Sequence, residues 1–348
     1  MLSRNTLRGR DLMTEMDLSR EEVETILDLA SDSKRDFLLG RHFDLLKNKT
    51  LFMIMYNPSL RTRNSFEAAM TQLGGHAQYL EPGKIYTPAL EGDEVAYGTE
   101  RVSDVARVLN GFGHGIALRV FGAPTNWIYG KGHQIGQEFC KWADIPVFNM
   151  GDDRFHPTQA LADMMMVKER MGGFKGVKYT MCFAYSPSVK RQMAVTQSSI
   201  VLATLLGMDV TLCYPEGLDV EDTVEQRCRE NAAKYGGSFR IVHDREEGLT
   251  GAHIVNSKSW GCIKNLPPLS GTEPNFVATE RIYEGARDWI IDDKAMSWTS
   301  HGYYTHCLPC DRGYEVANSV IDGPQSAVFQ EAQNLLHIRK AVLGLTLA

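Results

Sequence analysis

Short apolar runs alternate along the chain with segments in which apolar residues recur at helical spacing. The runs 51-LFMIMY-56, 115-GIALRVF-121 and 177-VKYTMCFAY-185 are typical of strands buried on both faces of a parallel sheet. Helical spacing is found between such runs, as over 65–75 and 194–207. Strands that alternate with helices predict an α/β protein of two domains, each a mostly parallel sheet flanked by helices.

The same pattern predicts the remaining elements. Further helices are expected at 18–38, 100–112, 156–172, 221–237 and 325–347, and further strands at 76–81, 208–214, 238–244, 251–260 and 287–292. Segment 83–98 contains three glycines and one proline and is expected to be a loop. We divide the chain into a first domain at 1–150, a second at 151–322, and a C-terminal helix at 323–348 that packs back on the first domain.

Composition narrows the class of protein. The chain has 348 residues, 43% of them hydrophobic, and a net charge of −6, which argues against a general nucleic-acid binder. No signal peptide or apolar run of membrane-spanning length is found, so we expect a cytoplasmic protein that does not enter a membrane. The seven cysteines are expected to be reduced thiols. Cys307 and Cys310 have CxxC spacing, but the second pair of a zinc ribbon is absent, which leaves a redox pair as the alternative.

The most suggestive chemistry lies in 57-NPSLRTRN-64, here called the anion loop, between the first buried strand and a helix. Ligands of open α/β sheets bind at the carboxyl ends of strands, and a helix N-terminus there offers free N–H groups to an anion. Ser59 and Thr62 add hydroxyls, and Arg61 adds a guanidinium suited to two phosphate oxygens. The alternative is a capped helix start with solvated arginines.

The string SLRTR resembles the phosphate-binding loop of the aspartate and ornithine carbamoyltransferase family. Other motifs similar to those of the family follow in order: 98-GTERVSDVARVL-109, Arg119 in GIALR, 156-HPTQ-159 and 306-HCLP-309. The resemblance implies an enzyme that transfers the carbamoyl group of carbamoyl phosphate to an amino-acid amine and releases phosphate. It implies no metal or other cofactor. The first domain would then bind carbamoyl phosphate and the second the acceptor.

The resemblance also implies roles for individual residues. Ser59, Leu60 through its backbone, Arg61 and Thr62 would hold the phosphate. Thr62, Arg119 and His156 would converge on the carbonyl oxygen, and Gln159 would hold the carbamoyl NH₂. Backbone groups around Cys307 and Leu308 would bind the substrates' carbamoyl and amine groups. Taken singly, Arg119 could be a strand-end ion pair, His156 part of a helix-entry turn, and Cys307 a small buried thiol.

The acceptor side resembles a subgroup that includes N-acetylornithine and N-succinylornithine carbamoyltransferases. The string 257-SKSWG-261 is similar to that subgroup's Lys-Ser-Trp segment, and 184-AYSPSVKRQMAV-195 is similar to a loop through which its chain is knotted. The expected acceptor ligands are Lys258, Trp260, Asp152, Leu308 and Arg312. Lys258 could instead be a surface lysine, and Trp260 a core residue or cleft wall. An N-acylated ornithine or a related diamino acid is the expected acceptor, with ornithine and 2,3-diaminopropionate as alternatives.

Several positions depart from the family pattern. Leu335 stands where many members carry an arginine that contacts carbamoyl phosphate, so Arg339, Lys190 or a neighbouring subunit would have to supply that cation. This departure motivates a second alternative, a homologue that binds carbamoyl phosphate without turnover. The family also implies a homotrimer in which a loop residue, Tyr86 or Tyr97, reaches a neighbouring subunit. A dinucleotide-dependent oxidoreductase is a third alternative, because 130-GKGHQIG-136 is glycine-rich, although its spacing is GxGxxxG.

Overall fold

The computed structural model describes residues 4–348 and divides into two compact units. The first unit contains the residues up to 126 together with 130–158 and 334–348, and the second contains 127–129 and 159–333. Within the described residues, no helix is both long and apolar enough to cross a membrane.

The first unit is built on a parallel sheet. Its strands are β1 (Thr50–Met55), β2 (His76–Leu80), β3 (Thr87–Ala89), β4 (Thr99–Arg101), β5 (Gly115–Arg119) and β6 (Val147–Asn149). Four of them form the main sheet in the order β2-β1-β5-β6, and β3 pairs with β4 in a separate ribbon. The helices are α1 (Arg20–Leu38), α2 (Leu60–Gln72), α3 (Val102–Asn110) and α4 (Lys131–Trp142).

The second unit repeats this organisation with five parallel strands. The strands are β7 (Lys178–Phe183), β8 (Asp209–Cys213), β9 (Ser238–Val242), β10 (Ile254–Lys258) and β11 (Tyr303–Thr305), in the order β11-β10-β7-β8-β9. Its helices are α6 (Ala194–Leu205), α7 (Asp222–Tyr235), α8 (Arg245–Leu249), α9 (Phe276–Gly285), α10 (Asp293–Ser297) and α11 (Asn318–Ile321). Two further helices, α5 (Pro157–Met171) and α12 (Val328–Leu347), each contain a boundary between the units.

Local sequence explains the elements that carry the site. Residues 51–55 of β1 are all buried, as the unbroken apolar run predicts for a central strand. The chain then turns into α2, where Ser59 is the N-cap and its hydroxyl accepts a hydrogen bond from the Thr62 backbone N–H at 3.3 Å. β1 pairs in parallel with β5 so that Met55 lies opposite Arg119, which brings the ends of both strands to one edge of the sheet.

The predicted fold class, two α/β domains with parallel sheets flanked by helices, is confirmed. The division at residues 150 and 322 and the knotted loop at 184–195 stay predictions. Residues 287–292 do not form a strand: Ile291 makes only an isolated bridge to Val316, and the Arg245 guanidinium binds the Ile290 carbonyl at 2.7 Å. Segment 83–98, expected to be a loop, contains the short strand β3.

Helix α4 was not expected, and two glycines lie within it. Both are required by close packing. A Cβ on Gly132 would lie 2.2 Å from the Val120 carbonyl oxygen, and a Cβ on Gly136 would lie 2.2 Å from the Met13 methyl carbon. The glycine spacing that raised the dinucleotide alternative therefore reflects how a helix packs against its neighbours.

Candidate active site

The anion loop is held firmly at the edge of the first unit's sheet. Asn57 donates from its amide to the Phe121 carbonyl at 3.1 Å and accepts from the Phe121 N–H at 3.0 Å. These two bonds tie the residues that follow β1 to those that follow β5. Leu60 is exposed and Thr62 is buried, so the first turn of α2 has one open and one closed side.

Arg119 and His156 converge over Gly151. The Arg119 guanidinium donates to the Met150 carbonyl at 3.1 Å. A Cβ on Gly151, whose φ is +114°, would lie 2.8 Å from Arg119 Nη1 and 3.0 Å from His156 Cδ2. Only glycine fits here, and its absent side chain lets the guanidinium and the imidazole approach one another. Burial, and then the charges of Arg119 and Arg339, hold the pKa of His156 well below its ordinary value, so the imidazole is neutral at pH 7.

Arg339 of α12 lies behind the anion loop in the same unit. Its side chain is fully buried, and Nη1 donates to the carbonyls of Arg61 and Thr62, both at 3.2 Å. The guanidinium stacks 4.4 Å from the Phe66 ring, while Nε and Nη2 have no hydrogen-bond partner. Burial, and then the nearby Arg119 and Arg61 charges, lower its pKa from 12.5 to about 9.

Leu335, one turn earlier on α12, is buried and apolar. Of the replacements considered for the arginine missing at this position, Arg339 is the one that this unit holds beside Arg61 and Thr62. The charges of Arg119 and Arg61 both act on Arg339, so three cations lie near one another, an arrangement that suits an anionic ligand.

Asp152 is 2% exposed and has internal partners. Its Oδ2 lies 2.7 Å from His133 Nδ1 and accepts from the Asn149 amide at 2.8 Å. Its Oδ1 accepts the backbone N–H groups of Arg154 and Phe155 at 2.7 and 2.6 Å. These bonds fix the turn that precedes His156. The acceptor-binding role expected for Asp152 stays a prediction, but the contacts seen are structural.

Gln159 belongs to the second unit, where two carboxylates bind its amide. Nε2 donates to Asp163 at 3.0 Å and to Glu331 at 2.6 Å. All three side chains are buried. Sequence reasoning missed Asp163 and Glu331; the i, i+4 spacing of Gln159 and Asp163 on α5 was the only signal for either of them.

The segment 306–309 follows β11. Cys307 is buried, and Leu308 has a positive φ of 53°, a conformation that non-glycine residues rarely adopt. The Leu308 N–H donates to His306 Nδ1 at 2.9 Å, and the fully buried His306 thereby anchors this turn. Backbone strain of this kind clusters at functional sites.

Lys258 ends β10 and is 8% exposed. Its ammonium lies 3.4 Å from Glu315 Oε1 and 3.5 Å from the Pro309 carbonyl. Burial alone would raise the pKa of Glu315, but the charge of Lys258, and then the hydrogen bond and charge of His306, hold it well below its ordinary range. Lys258 is therefore a buried, paired cation rather than a surface lysine.

The other residues expected on the acceptor side differ in accessibility. Trp260 is fully buried, and its indole N–H donates to the Leu218 carbonyl at 2.8 Å, so it belongs to the core. Arg312 forms a two-point ion pair with Asp322, with bonds of 2.5 and 2.9 Å. The neighbouring carboxylate of Asp311 accepts hydrogen bonds from the Ser186 hydroxyl at 2.6 Å and from the Arg191 guanidinium at 2.5 Å.

The structure shows neither disulfides nor a metal-ligating cluster among the described residues. All seven cysteines are thiols outside any disulfide, and no group of three or more metal-ligating side chains occurs among residues 4–348.

Comparison with known proteins gives a consistent result. Residues 10–169 match the family model described as aspartate/ornithine carbamoyltransferase, carbamoyl-P binding domain, and residues 189–346 match its Asp/Orn binding domain. The chain is 33% identical to an N-acetylornithine carbamoyltransferase of Xanthomonas campestris pv. campestris over 96% of this chain and 97% of that protein. It is 36% identical to an ornithine carbamoyltransferase of Pyrococcus abyssi over 98% and 97%.

Solved structures agree. An acetylornithine transcarbamylase complexed with acetylcitrulline superposes with a TM-score of 0.90 at 31% identity, covering 97% of this chain and 99% of that one. The ornithine carbamoyltransferase of Pyrococcus furiosus superposes with a TM-score of 0.81 at 34% identity, covering 98% of each chain.

Proposed function

This chain belongs to the aspartate/ornithine carbamoyltransferase family, and we propose that it transfers the carbamoyl group of carbamoyl phosphate to the amine of an N-acylated ornithine or a related diamino acid. The observation that carries the proposal is the cluster of Arg61, Arg119, neutral His156 and Arg339, in which the charges of Arg119 and Arg61 lower the pKa of Arg339 and the charges of Arg119 and Arg339 lower the pKa of His156. Such a cluster suits a phosphorylated substrate.

In the proposed reaction the first unit binds the carbamoyl donor. Backbone and side-chain groups of Ser59, Leu60, Arg61 and Thr62 hold the phosphate at the N-terminus of α2. Thr62, Arg119 and His156 donate to the carbonyl oxygen, which becomes an oxyanion when the amine attacks. Preorganised donors of this kind are commonly worth about 3 kcal/mol each in the transition state.

The bonds exchanged are simple. The lone pair of the neutral amine forms a C–N bond to the carbonyl carbon, the C–O bond to phosphate breaks, and the amine proton leaves with the phosphate. An alkyl amine has a pKa of about 10.4, so the site must select its neutral form. Orientation and removal of water around the amine are then the main tasks of the protein.

Arg339 is proposed to replace the arginine that Leu335 lacks. Its bonds to the Arg61 and Thr62 carbonyls brace the anion loop, and its two unpaired donors leave positive charge uncompensated behind that loop. This argues against the non-catalytic alternative, which was motivated by a missing cation.

The acceptor is proposed to bind in the second unit. Backbone groups at Cys307 and Leu308 would contact the reacting groups, and Lys258 would contact the acceptor's carboxylate. Lys258 is already held by Glu315, so it would share its charge between the two carboxylates. Relatives named for N-acetylornithine and relatives named for ornithine both match this chain. An N-acylated ornithine is favoured because the segment 257–261 resembles that of the acylornithine enzymes.

The test is ureido-product formation with carbamoyl phosphate and a panel of amines, with phosphate release followed in parallel. The panel should hold N-acetylornithine, N-succinylornithine, ornithine and 2,3-diaminopropionate. Turnover with one acylated ornithine is expected. Turnover with only an unacylated amine would reject the acceptor assignment, and binding of carbamoyl phosphate without turnover of any amine would favour the non-catalytic alternative.

We also propose a homotrimer. Tyr86 and Tyr97 are 53% and 93% exposed, which fits side chains that contact another subunit. Light scattering should give a particle three times the 39.0 kDa chain mass. A monomer at working concentration would refute this part of the proposal.

A further inference from the structure

Two buried carboxylates in the second unit bind one amide nitrogen. Asp163 is fully buried and Glu331 is 1% exposed, and both accept from Nε2 of Gln159. Burying two carboxylates side by side is unfavourable unless the pair is fully hydrogen-bonded. The sequence separates Gln159 from Glu331 by 172 residues, so this contact is a product of the fold.

The remaining oxygens of the pair are also fixed. Asp163 Oδ2 accepts from Ser199 at 2.7 Å and from Asn256 at 3.1 Å, and Glu331 Oε2 accepts from the Thr305 hydroxyl. Neither carboxylate can rotate without breaking these bonds. Their oxygens on the Gln159 side are therefore held in place.

This arrangement dictates the orientation of the Gln159 amide. An amide group has a donating NH₂ end and an accepting oxygen end. If the amide were turned by 180°, its oxygen would face two carboxylate oxygens, and acceptor would oppose acceptor. The NH₂ end must therefore point toward the pair, and the carbonyl oxygen is the end left for a ligand.

We propose that Asp163 and Glu331 are positioning residues that hold Gln159 in the orientation in which its carbonyl oxygen accepts a hydrogen bond from the carbamoyl NH₂. This inference rests on the proposed function. Burial raises the pKa of Asp163, and burial together with the Asp163 charge raises the pKa of Glu331 well above its ordinary value.

The consequence is discrimination between acyl groups. A carbamoyl group carries an NH₂ donor where an acetyl group carries a methyl group. An acceptor oxygen fixed by the pair favours the carbamoyl group, because a site built to hydrogen-bond a substrate NH rejects the analogue that lacks it. A reversed Gln159 would set NH₂ against NH₂ and lose that preference.

The variant Asp163→Asn is designed to release the amide from its single orientation. Ser199 and Asn256 both donate to one side of residue 163, so the oxygen of the introduced amide would stay there and its NH₂ would face Gln159. Gln159 would then meet a donor at residue 163 and an acceptor at Glu331, so neither end of its amide would be fixed toward the ligand. Ser199→Ala is the matched control, because it removes a bond to Asp163 without altering what faces Gln159.

The readout is the ratio of dissociation constants for two stable phosphonates, measured by calorimetry. Phosphonoacetamide mimics carbamoyl phosphate, and 2-oxopropylphosphonate replaces its NH₂ with a methyl group. We expect the native protein and Ser199→Ala to prefer phosphonoacetamide, and Asp163→Asn to lose that preference by roughly tenfold or more. Equal weakening of both ligands in Asp163→Asn, with an unchanged ratio, would show a merely structural role and overturn the proposal.

A second variant covers the case in which Asp163→Asn does not fold. Glu331→Gln alters the other member of the pair: the Thr305 hydroxyl keeps the oxygen of the introduced amide on its side, so the new NH₂ faces Gln159. This variant should also lose the preference for phosphonoacetamide, and a folded Glu331→Gln protein with the native ratio would contradict the proposal. If the native protein binds neither phosphonate, the proposed function itself fails; if it binds both equally, only the positioning role fails.

Discussion

Replacing Arg339 with leucine tests separately its two proposed roles, which are to brace the anion loop and to supply positive charge for the phosphate. The variant removes a buried guanidinium from behind the anion loop while keeping an apolar side chain against Phe66. We expect ligand-free stability to change little and affinity for carbamoyl phosphate to fall.

The magnitude follows from opposing terms. The pKa of Arg339 falls from 12.5 to about 9, and at about 1.4 kcal/mol for each pKa unit the charged form is disfavoured by about 5 kcal/mol. This destabilisation of the folded state is fully present below pH 9 and is released as the pH rises from 9 toward 12.5. The two bonds to the Arg61 and Thr62 carbonyls contribute about 1.5–3 kcal/mol each in the other direction. The terms nearly cancel, so the free energy of unfolding at pH 7 should change by no more than about 2 kcal/mol.

A bound dianion changes this balance, because the charge of Arg339 then has a counter-ion. Losing a charge-assisted interaction of about 1.5–3 kcal/mol corresponds to about 10- to 150-fold weaker binding. Calorimetry with phosphonoacetamide measures the affinity, and urea unfolding measures the stability. Lys340→Leu is the matched control: it removes the neighbouring cation, which contacts Gln72 at 3.4 Å, and should leave affinity within a factor of about two. Native affinity in Arg339→Leu, or equal losses in both variants, would refute the assignment.

The same contacts lead to three further expectations. Arg61→Ala should lower kcat/KM for carbamoyl phosphate by about 100-fold or more in steady-state assays. The control Arg63→Ala removes a guanidinium that stacks on Tyr79 and pairs with Glu67, and should leave kcat/KM nearly unchanged. Similar effects of the two variants would contradict the assignment of Arg61 to the phosphate. Lys258→Met should raise the KM of the acceptor far more than the KM of carbamoyl phosphate, and equal effects on both KM values would contradict the role of Lys258. The variant should also destabilise the fold by about 3–5 kcal/mol, because the buried carboxylate of Glu315 loses its cation. Because the pKa of His156 is lowered, the native protein should lose stability as the pH falls below 6.5, and His156→Gln should flatten that slope in urea unfolding; parallel slopes would show that the imidazole is not buried neutral.

The first half of the site could be predicted because its parts are local. A buried strand, an N-cap serine and a helix occur within 50–72, so the position of the anion loop between strand and helix followed from local sequence. Its role as a ligand site rests on the rule that ligands bind at strand carboxyl ends and stays a prediction. Arg119 ends the neighbouring strand, so the parallel register alone brings it to the same edge. Helix α4 was missed because its glycines are required by close packing against Val120 and Met13, and local helix propensity does not report such contacts.

The second half was less accessible because its determinants are distant in sequence. Gln159 was predicted from the HPTQ motif, but nothing in the motif points to Glu331, which lies far along the chain. Lys258 was predicted as a ligand, while its partner Glu315 was not, since ion pairing between separate elements leaves no periodic signal. Buried charge partners are consequences of packing, and packing is what sequence patterns specify least well.

Arg339 shows how a missing residue can mislead. Leu335 and Arg339 are one helical turn apart on α12, and residues at i and i+4 share a helix face. A cation moved by one turn shifts by about 5.4 Å along the axis, and the long arginine side chain points back toward the helix N-terminus, which shortens that difference. The effect of a guanidinium charge depends on where the group lies, whichever residue carries it. The leucine at position 335 therefore does not by itself remove the third cation. The charge is already present behind Arg61 and Thr62, where the two hydrogen bonds of Arg339 nearly offset its desolvation.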